Sequence, residues 1–315
     1  MPNLRRAKVA LRSAIGAPGI RDGLRWFINE PAIPARLRSL AHRKIAKRAR
    51  FAPDRAFEHI TPTGVHLRFF HSGTSNYLYW LDEYEPETTS LFSRLARTAQ
   101  TILDIGAADG LYAILAAAEN PSARILAFEP GRGAAAMCAR NIALNLPLTK
   151  NIELRTLALG ETDEDTTLYV AGASGGNSSL NPEFRSVRVE ETVTVRRGDF
   201  ALADLGVARV DLIKADTEST EPAVLRGLHT TLVRDRPDVI CEVLRGRTEN
   251  ELENILRPLG YRYFHITSTG LEAKQSIAGD AEYQRPNYLF THRSDRELAE
   301  LSADHEANRS RIRAK

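Results

Sequence analysis

The sequence predicts an α/β protein: a doubly wound, mostly parallel seven-stranded sheet with an antiparallel last strand, preceded by a basic helical extension. Three observations carry this. Short apolar runs of the kind that a strand buried on both faces uses alternate with stretches of helical period between residues 101 and 291. The first run, Thr101 to Ile105, passes through Gly106 and Gly110 into Leu111, Ile114, Leu115 and Ala118, an i, i+3, i+4, i+7 series that marks a helix. Charge is also divided, because residues 1–50 hold 13 of the 43 Lys and Arg against only Asp22 and Glu30, a balance of +11 that leaves −8 for the body.

Taken in order, residues 1–56 form the basic extension, punctuated by Pro18, Gly19, Pro31 and Pro34. Residues 57–100 lead into the core and pack on it. Val65, Leu67 and Phe69 alternate as a strand after the turn Pro62-Thr63-Gly64, and the aromatic run Tyr77 to Trp80 either covers a ligand or staples this segment down. The main domain spans residues 101–292. Its strands are Thr101–Ile105, Ile125–Phe128, Ile152–Leu159, Val210–Asp216, Asp238–Glu242, Tyr261–Ile266 and Tyr288–Thr291. Thr166–Val170 and Val187–Val195 alternate around a small polar tip, Gly175-Gly176-Asn177-Ser178-Ser179, and read as an antiparallel excursion whose tip either lines an acceptor pocket or is an ordinary loop. Thr220 is placed to cap a helix with Pro222 in its first turn. Residues 293–315 are a charged, helical tail.

The glycine turn is where an open α/β sheet binds ligands, at the carboxyl ends of its strands. Gly106 and Gly110 give G-x-x-x-G with Asp104 two residues ahead, not the three-glycine dinucleotide fingerprint, which argues against a nicotinamide dehydrogenase. This is the spacing of the nucleotide-binding methyltransferase variant. Ala107 lies within the turn. The next strand ends in Glu129, placed to hold two ribose hydroxyls on its two carboxylate oxygens. Ala158, at the end of the third strand, would lie beside a purine. Each residue also has an ordinary reading, as turn glycine, capping carboxylate or helix N-terminal charge. One spacing pattern accounts for all four of Asp104, Gly106, Gly110 and Glu129 together. A second constellation, Lys214, Asp216 and Glu218, stands at the carboxyl end of the fourth strand, where a base between carboxylates is expected to shift pKa values.

Composition narrows the classes. A chain of 315 residues with 43% hydrophobic content can bury a sizeable core. No stretch approaches the roughly 20 continuous apolar residues of a membrane helix, and arginines interrupt the N-terminus too often for a signal sequence. Cys138 and Cys241 read as two core thiols in a reducing compartment, so the expected location is cytoplasmic, with peripheral contact to an anionic membrane through residues 1–50 as an added option. Few aromatics besides Trp26 and Phe27 interleave with the basic arm, which argues against nucleic acid as a partner. The sequence sets no oligomeric state.

The ordered set Asp104-Ile-Gly-Ala-Ala-Asp-Gly110, Phe128-Glu129-Pro130, Asp211-Leu-Ile-Lys-Ala-Asp-Thr-Glu218 and Glu221-Pro-x-Val-Leu-x-Gly227 resembles the FkbM-type methyltransferases, class I enzymes that use S-adenosyl-L-methionine. Tyr84-Glu85-Pro86, Gly260-Tyr261 and Asn287-Tyr288-Leu289-Phe290 fit as well, and the likeness covers about residues 60 to 292. It implies a Rossmann-like fold and methyl transfer to a hydroxyl oxygen of a sugar, a glycan or lipid-linked unit or a secondary metabolite. The cofactor would be held by Asp104, Gly106, Ala107, Gly110, Glu129, Pro130 and Ala158. Asp216 would be the base, with Glu218 second and Lys214 orienting its carboxylate partner. Mg2+ on Asp216 and Glu242 is a different route and is not expected, because two oxygen ligands on separate strands are a thin signal. His265 and His71 remain alternative bases. Two departures stand out: Ala108 where the family usually has Asn, and Ser219-Thr220 where it has Gly-Ala or a similar pair. RNA or protein methylation through the basic arm and a catalytically silent cofactor-binding module are the competing functions.

Overall fold

In this computed structural model the described residues are 18–30, 32–44, 55–170, 178–181 and 189–301. The chain divides into two compact units, Met1–Tyr84 and Glu85–Lys315.

The first unit holds helices α1 (Pro18–Asn29) and α2 (Ala35–Lys44), the antiparallel hairpin β1 (Ala56–Ile60) and β2 (His66–Phe70), and helix α3 (Ser75–Leu81). The alternation holds, with Leu67 and Phe69 fully buried. Ile28 of α1 packs with Tyr79 and Trp80 of α3, Asn29 Nδ2 donates to the Trp80 carbonyl at 2.9 Å, and the Arg25 guanidinium lies 5.0 Å from the Tyr79 ring centroid. The aromatic run therefore fills this unit's own core. Residues 1–17 and 45–54 of the basic extension, and residues 302–315 of the tail, lie outside the described residues.

In the second unit, helix α4 (Pro86–Ala96) precedes the parallel strands β3 (Thr101–Ile105), β4 (Arg124–Phe128) and β5 (Ile152–Arg155), linked by helices α5 (Leu111–Glu119) and α6 (Arg132–Leu144). The chain then leaves the sheet. The run 152–159, expected as one strand, is two: β6 (Ala158–Gly160) pairs with β9 (Val189–Arg197) in a separate four-stranded sheet that includes β7 (Glu164–Val170) and β8 (Ser178–Ser179). Parity explains the break, since Ile152 and Leu154 share one pleat face whereas Leu157 and Leu159 would fall on the other. Strands β7 and β9 form the expected antiparallel excursion. Of its tip, Gly175, Gly176 and Asn177 lie outside the described residues.

After helix α7 (Gly198–Asp204), β10 (Leu212–Ala215) returns beside β3, followed by α8 (Glu221–Gly227), α9 (His229–Asp235), β11 (Asp238–Glu242), α10 (Glu249–Leu256), β12 (Arg262–Thr267), β13 (Gly270–Lys274) and β14 (Asn287–Thr291). The main sheet runs β13-β12-β14-β11-β10-β3-β4-β5. The seven expected strands are all there and the last, β14, inserts antiparallel between β11 and β12. An eighth, β13, adds a hairpin to the edge. Its only large apolar residue is Leu271, and Glu272 pairs with Lys274 at 3.0 Å, the polar make-up of a guarded edge that a search for apolar runs passes over.

Pleating sorts the sheet into two faces. Leu103, Ile105, Leu126, Phe128, Ile213 and Val239 join Val224, Leu225, Leu232 and Leu252 of α8, α9 and α10 in one core cluster. Asp104, Lys214 and Ile240 lie on the opposite face, where α4 and α5 pack. Asp238 ties β14 to the start of β11, its buried carboxylate accepting from the Thr291 hydroxyl at 2.5 Å and Arg293 Nε at 2.7 Å. Asp238→Ala strands the buried Thr291 hydroxyl and the partly buried Arg293 guanidinium and is expected to lower stability by about 2–3 kcal/mol. Asp295→Ala, which removes the exposed partner of Arg262, should change it by less than about 1 kcal/mol in the same urea titration.

Candidate active site

Sheet register assembles the site. Lys214 lies opposite Asp104 on one side and Ile240 on the other, and Ile240 opposite Leu289. Two residues further toward the carboxyl ends, the same side of the pleat carries Gly106, Asp216 and Glu242, with Asn287 opposite Glu242, and Glu129 two residues beyond Ala127, the partner of Asp104. The Asp216 amide donates to the Ile105 carbonyl at 3.0 Å, which carries the register past the strand end. Glu129, Gly106, Asp216, Glu242 and Asn287 thus form one row along the rim.

At the β3–β4 end of the row, packing alone excludes side chains from both glycines. Gly106 sits at φ +82° and a Cβ there would come 1.9 Å from the Asp216 carbonyl oxygen; at Gly110, φ +87°, it would come 2.8 Å from Cys138 Sγ. The turn is thus pressed against the end of β10 and against α6. The amides of Gly106 and Ala107 both donate to the Phe128 carbonyl, at 2.9 and 3.0 Å. Asp104 accepts the Ala113 amide at 2.9 Å and so caps α5 from inside the strand. Burial pushes its carboxyl up to about 7, against the pull of Lys214 and that amide. Glu129 accepts the Ala108 amide on Oε2 at 2.9 Å and the Gly131 amide on Oε1 at 2.8 Å. Burial pushes it too up to about 7, against those two amides. Each oxygen keeps a further lone pair. Pro130 follows directly, and Ala158 opens β6, on the second sheet rather than on the main one.

At the other end, Lys214 is 0% exposed and donates from Nζ to Asp216 Oδ2 at 3.0 Å, 5.1 Å from the Tyr112 ring centroid. Burial works against its charge, but Asp216 and Glu85 outweigh burial and hold the ammonium above its ordinary range. Glu85, the residue before α4, accepts from the Tyr112 hydroxyl at 3.0 Å and Asn287 Nδ2 at 2.9 Å; burial raises its carboxyl while Lys214 opposes. Glu242 accepts from the Tyr283 hydroxyl. Glu218 and Ser219 form the turn after β10 at φ +55° and +87°. The excursion reaches them: the Ser179 hydroxyl donates to the Glu218 carbonyl at 2.5 Å and Asn181 Nδ2 to Ser219 Oγ at 3.2 Å. Thr220 does not cap as expected, because its hydroxyl turns back to the Thr217 carbonyl, and Glu221 holds the turn by accepting the Thr217 amide at 2.7 Å. His265 Nε2 lies 2.8 Å from the Arg285 carbonyl, and burial pushes His71, in the first unit, down to about 4. Among the described residues no three His, Cys, Asp or Glu side chains group as metal ligands.

Sequence reasoning missed the part played by Glu85, Tyr112 and Tyr283. Each sits in a segment whose local pattern marks a helix start or a loop, and only strand order brings Glu85 and Tyr112 to Lys214 and Tyr283 to Glu242. Both departures from the family pattern fall at left-handed residues, Ala108 at φ +49° and Ser219 at φ +87°, which Asn and Gly adopt with less strain. Ala108→Gly or Ala108→Asn is therefore expected to stabilise the protein by about 1 kcal/mol and raise its melting temperature by about 2–4 °C, with Ala108→Val lowering it.

Residues 104–263 match the family model described as the methyltransferase FkbM domain. Methyltransferase sdnD of Sordaria araneosa is 31% identical over 167 residues, 42% of this chain and 63% of that one. The 2-O-methyltransferase NoeI of Sinorhizobium fredii is 28% identical over 160 residues, 46% of this chain and 64% of that one. The chain thus spans less than two thirds of the length of these relatives. A methyltransferase FkbM structure from Methylobacillus flagellatus KT superposes with a TM-score of 0.43 at 15% identity, covering 62% of this chain and 44% of that one. With half of its length matched by the family model and the motif residues gathered along one rim, the chain belongs to the FkbM methyltransferase domain family.

Proposed function

We propose that the chain is an S-adenosyl-L-methionine-dependent O-methyltransferase whose acceptor is a small molecule or glycan with a free hydroxyl. The observation that carries this reading is the rim row, in which a buried carboxylate with lone pairs to spare, Glu129, and a lysine-held carboxylate, Asp216, flank the same strand end. Glu129 suits a ribose diol, so the residues present fit the cofactor. When bound, S-adenosyl-L-methionine supplies a methyl group on a sulfonium, which an oxygen nucleophile can displace.

The chain's own residues do the rest. Glu129 would take the ribose hydroxyls, with Gly106, Ala107, Gly110, Pro130 and Ala158 as the residues that would hold the adenosyl group. Asp104 fixes the start of α5 through the Ala113 amide. Asp216, a quarter exposed, accepts the proton of the acceptor hydroxyl, and Lys214 holds its Oδ2 so that Oδ1 faces the acceptor. Glu218 borders the acceptor from the next turn. Positioning two reactants supplies much of the rate in such a displacement, which is why a rigid rim matters. The relative named as a 2-O-methyltransferase supports oxygen as the acceptor atom. Among the described residues no helix is long and apolar enough to cross a membrane, and the buried free thiols of Cys138 and Cys241 suit the cytoplasm.

Asp216→Asn is expected to bind S-adenosyl-L-methionine as the parent does by calorimetry while methyl transfer falls about 100-fold or more. Glu129→Gln should weaken cofactor binding about 10- to 100-fold. The Glu129 carboxyl sits near 7 in the free protein, and hydroxyls donating to it favour its ionised form. Binding near neutral pH should therefore release a proton, and affinity should fall as pH drops below about 7. Calorimetry in buffers of different ionisation enthalpy reads this, and Glu129→Gln should abolish it.

A further inference from the structure

We propose that Glu242 and Asn287 form a subsite for a second hydroxyl of the acceptor, the one next to the hydroxyl that is methylated; the inference rests on the reading above. The two residues face each other across β11 and β14 and extend the row past Asp216. Both are buried, at 6% and 1% exposure. Tyr283 occupies Glu242 Oε1, and Asn287 Nδ2 is committed to Glu85, which fixes the direction of its amide. What remains are two buried acceptor oxygens with no partner, Glu242 Oε2 and Asn287 Oδ1. Buried acceptors left unmatched are costly, and a ligand that brings a donor removes the cost.

The charge around them selects the donor's chemistry. Asp216, Glu85 and Glu242 all act on the Lys214 ammonium, which is already bonded to Asp216, and Glu218 acts on Glu242. Burial, then Asp216, Glu221 and Glu218, hold the Glu242 carboxyl well above its usual range, so an incoming phosphate or carboxylate would meet the same repulsion. A neutral hydroxyl donates at no such penalty. The acceptor is therefore a vicinal diol at the point of reaction: one hydroxyl at Asp216, its neighbour on Glu242 and Asn287.

The test uses the full chain, S-adenosyl-L-methionine, and a panel of methyl hexopyranosides with their monodeoxy analogues. Glu242→Gln replaces the orphaned Oε2 with an amide N–H, which donates where the acid accepts and so removes the acceptor for the second hydroxyl. The parent should methylate or bind at least one glycoside, and removal of the hydroxyl next to the reacting one should raise KM about 10- to 100-fold. In Glu242→Gln that discrimination should disappear, while cofactor affinity is kept and the melting temperature is unchanged or higher. Equal discrimination in parent and variant overturns the proposal. So does a variant that unfolds or loses cofactor affinity, which would make Glu242 structural. A parent that binds cofactor but neither methylates nor, by ligand-observed NMR, binds any glycoside overturns it too. Failure of the parent to bind S-adenosyl-L-methionine is a separate result, which overturns the underlying reading and the subsite with it.

Discussion

A lysine ammonium held without exposure beneath α4 and α5 is the constraint on which this site depends. Moving such a charge out of water is costly, and it is tolerated only where partners satisfy it. Asp216 lies 3.0 Å away and Glu85 adds a second negative charge, while Tyr112 offers its ring face. Meeting Lys214's needs fixes the end of β10, the start of α4 and, through Asn287, the antiparallel strand β14. The same contacts leave Asp216 oriented at the rim. Structure and the proposed chemistry share one arrangement, because Asp216, proposed to take the acceptor's proton, is also the residue that neutralises the buried lysine.

The opposite half of the rim follows a parallel logic with amides in place of a cation. Asp104 and Glu129 are buried carboxyls held by main-chain N–H groups, and each secures a turn: Asp104 the entry to α5, Glu129 the glycine loop at Ala108 and the entry to α6 at Gly131. Neither has a full ionic partner, so burial pushes both carboxyls up to about 7. As their folded pKa values are raised, their contribution to stability is greatest at low pH and declines as pH rises through about 7. Stability given up in the free protein becomes available for ligand binding.

Much of this was legible in the sequence because it depends on local pattern. The strand, glycine turn and helix at 101–119 follow from a change of apolar period, and Glu129, Lys214 and Asp216 could be placed at strand ends from spacing alone. The excursion between β6 and β9 was legible too, because alternation differs from helical rhythm. What escaped depends on distance in the chain. Glu85 reaches Asn287 across 202 residues, and the row from Asp216 to Asn287 exists only because β14 inserts beside β11. The split of 152–159 escaped because a change of pleat parity within one apolar run looks continuous. The purpose of the glycines was only half visible, since a sequence shows that a side chain is excluded but not that the Asp216 carbonyl excludes it.

The central claim is that a single row divides the work, cofactor at Glu129 and acceptor from Asp216 onward. The most direct measurement is a crystal structure with S-adenosylhomocysteine bound. The account predicts both ribose hydroxyls on the Glu129 carboxylate and the sulfur directed toward Asp216. A ribose held elsewhere, or a sulfur directed away from Asp216 toward β5, would contradict it.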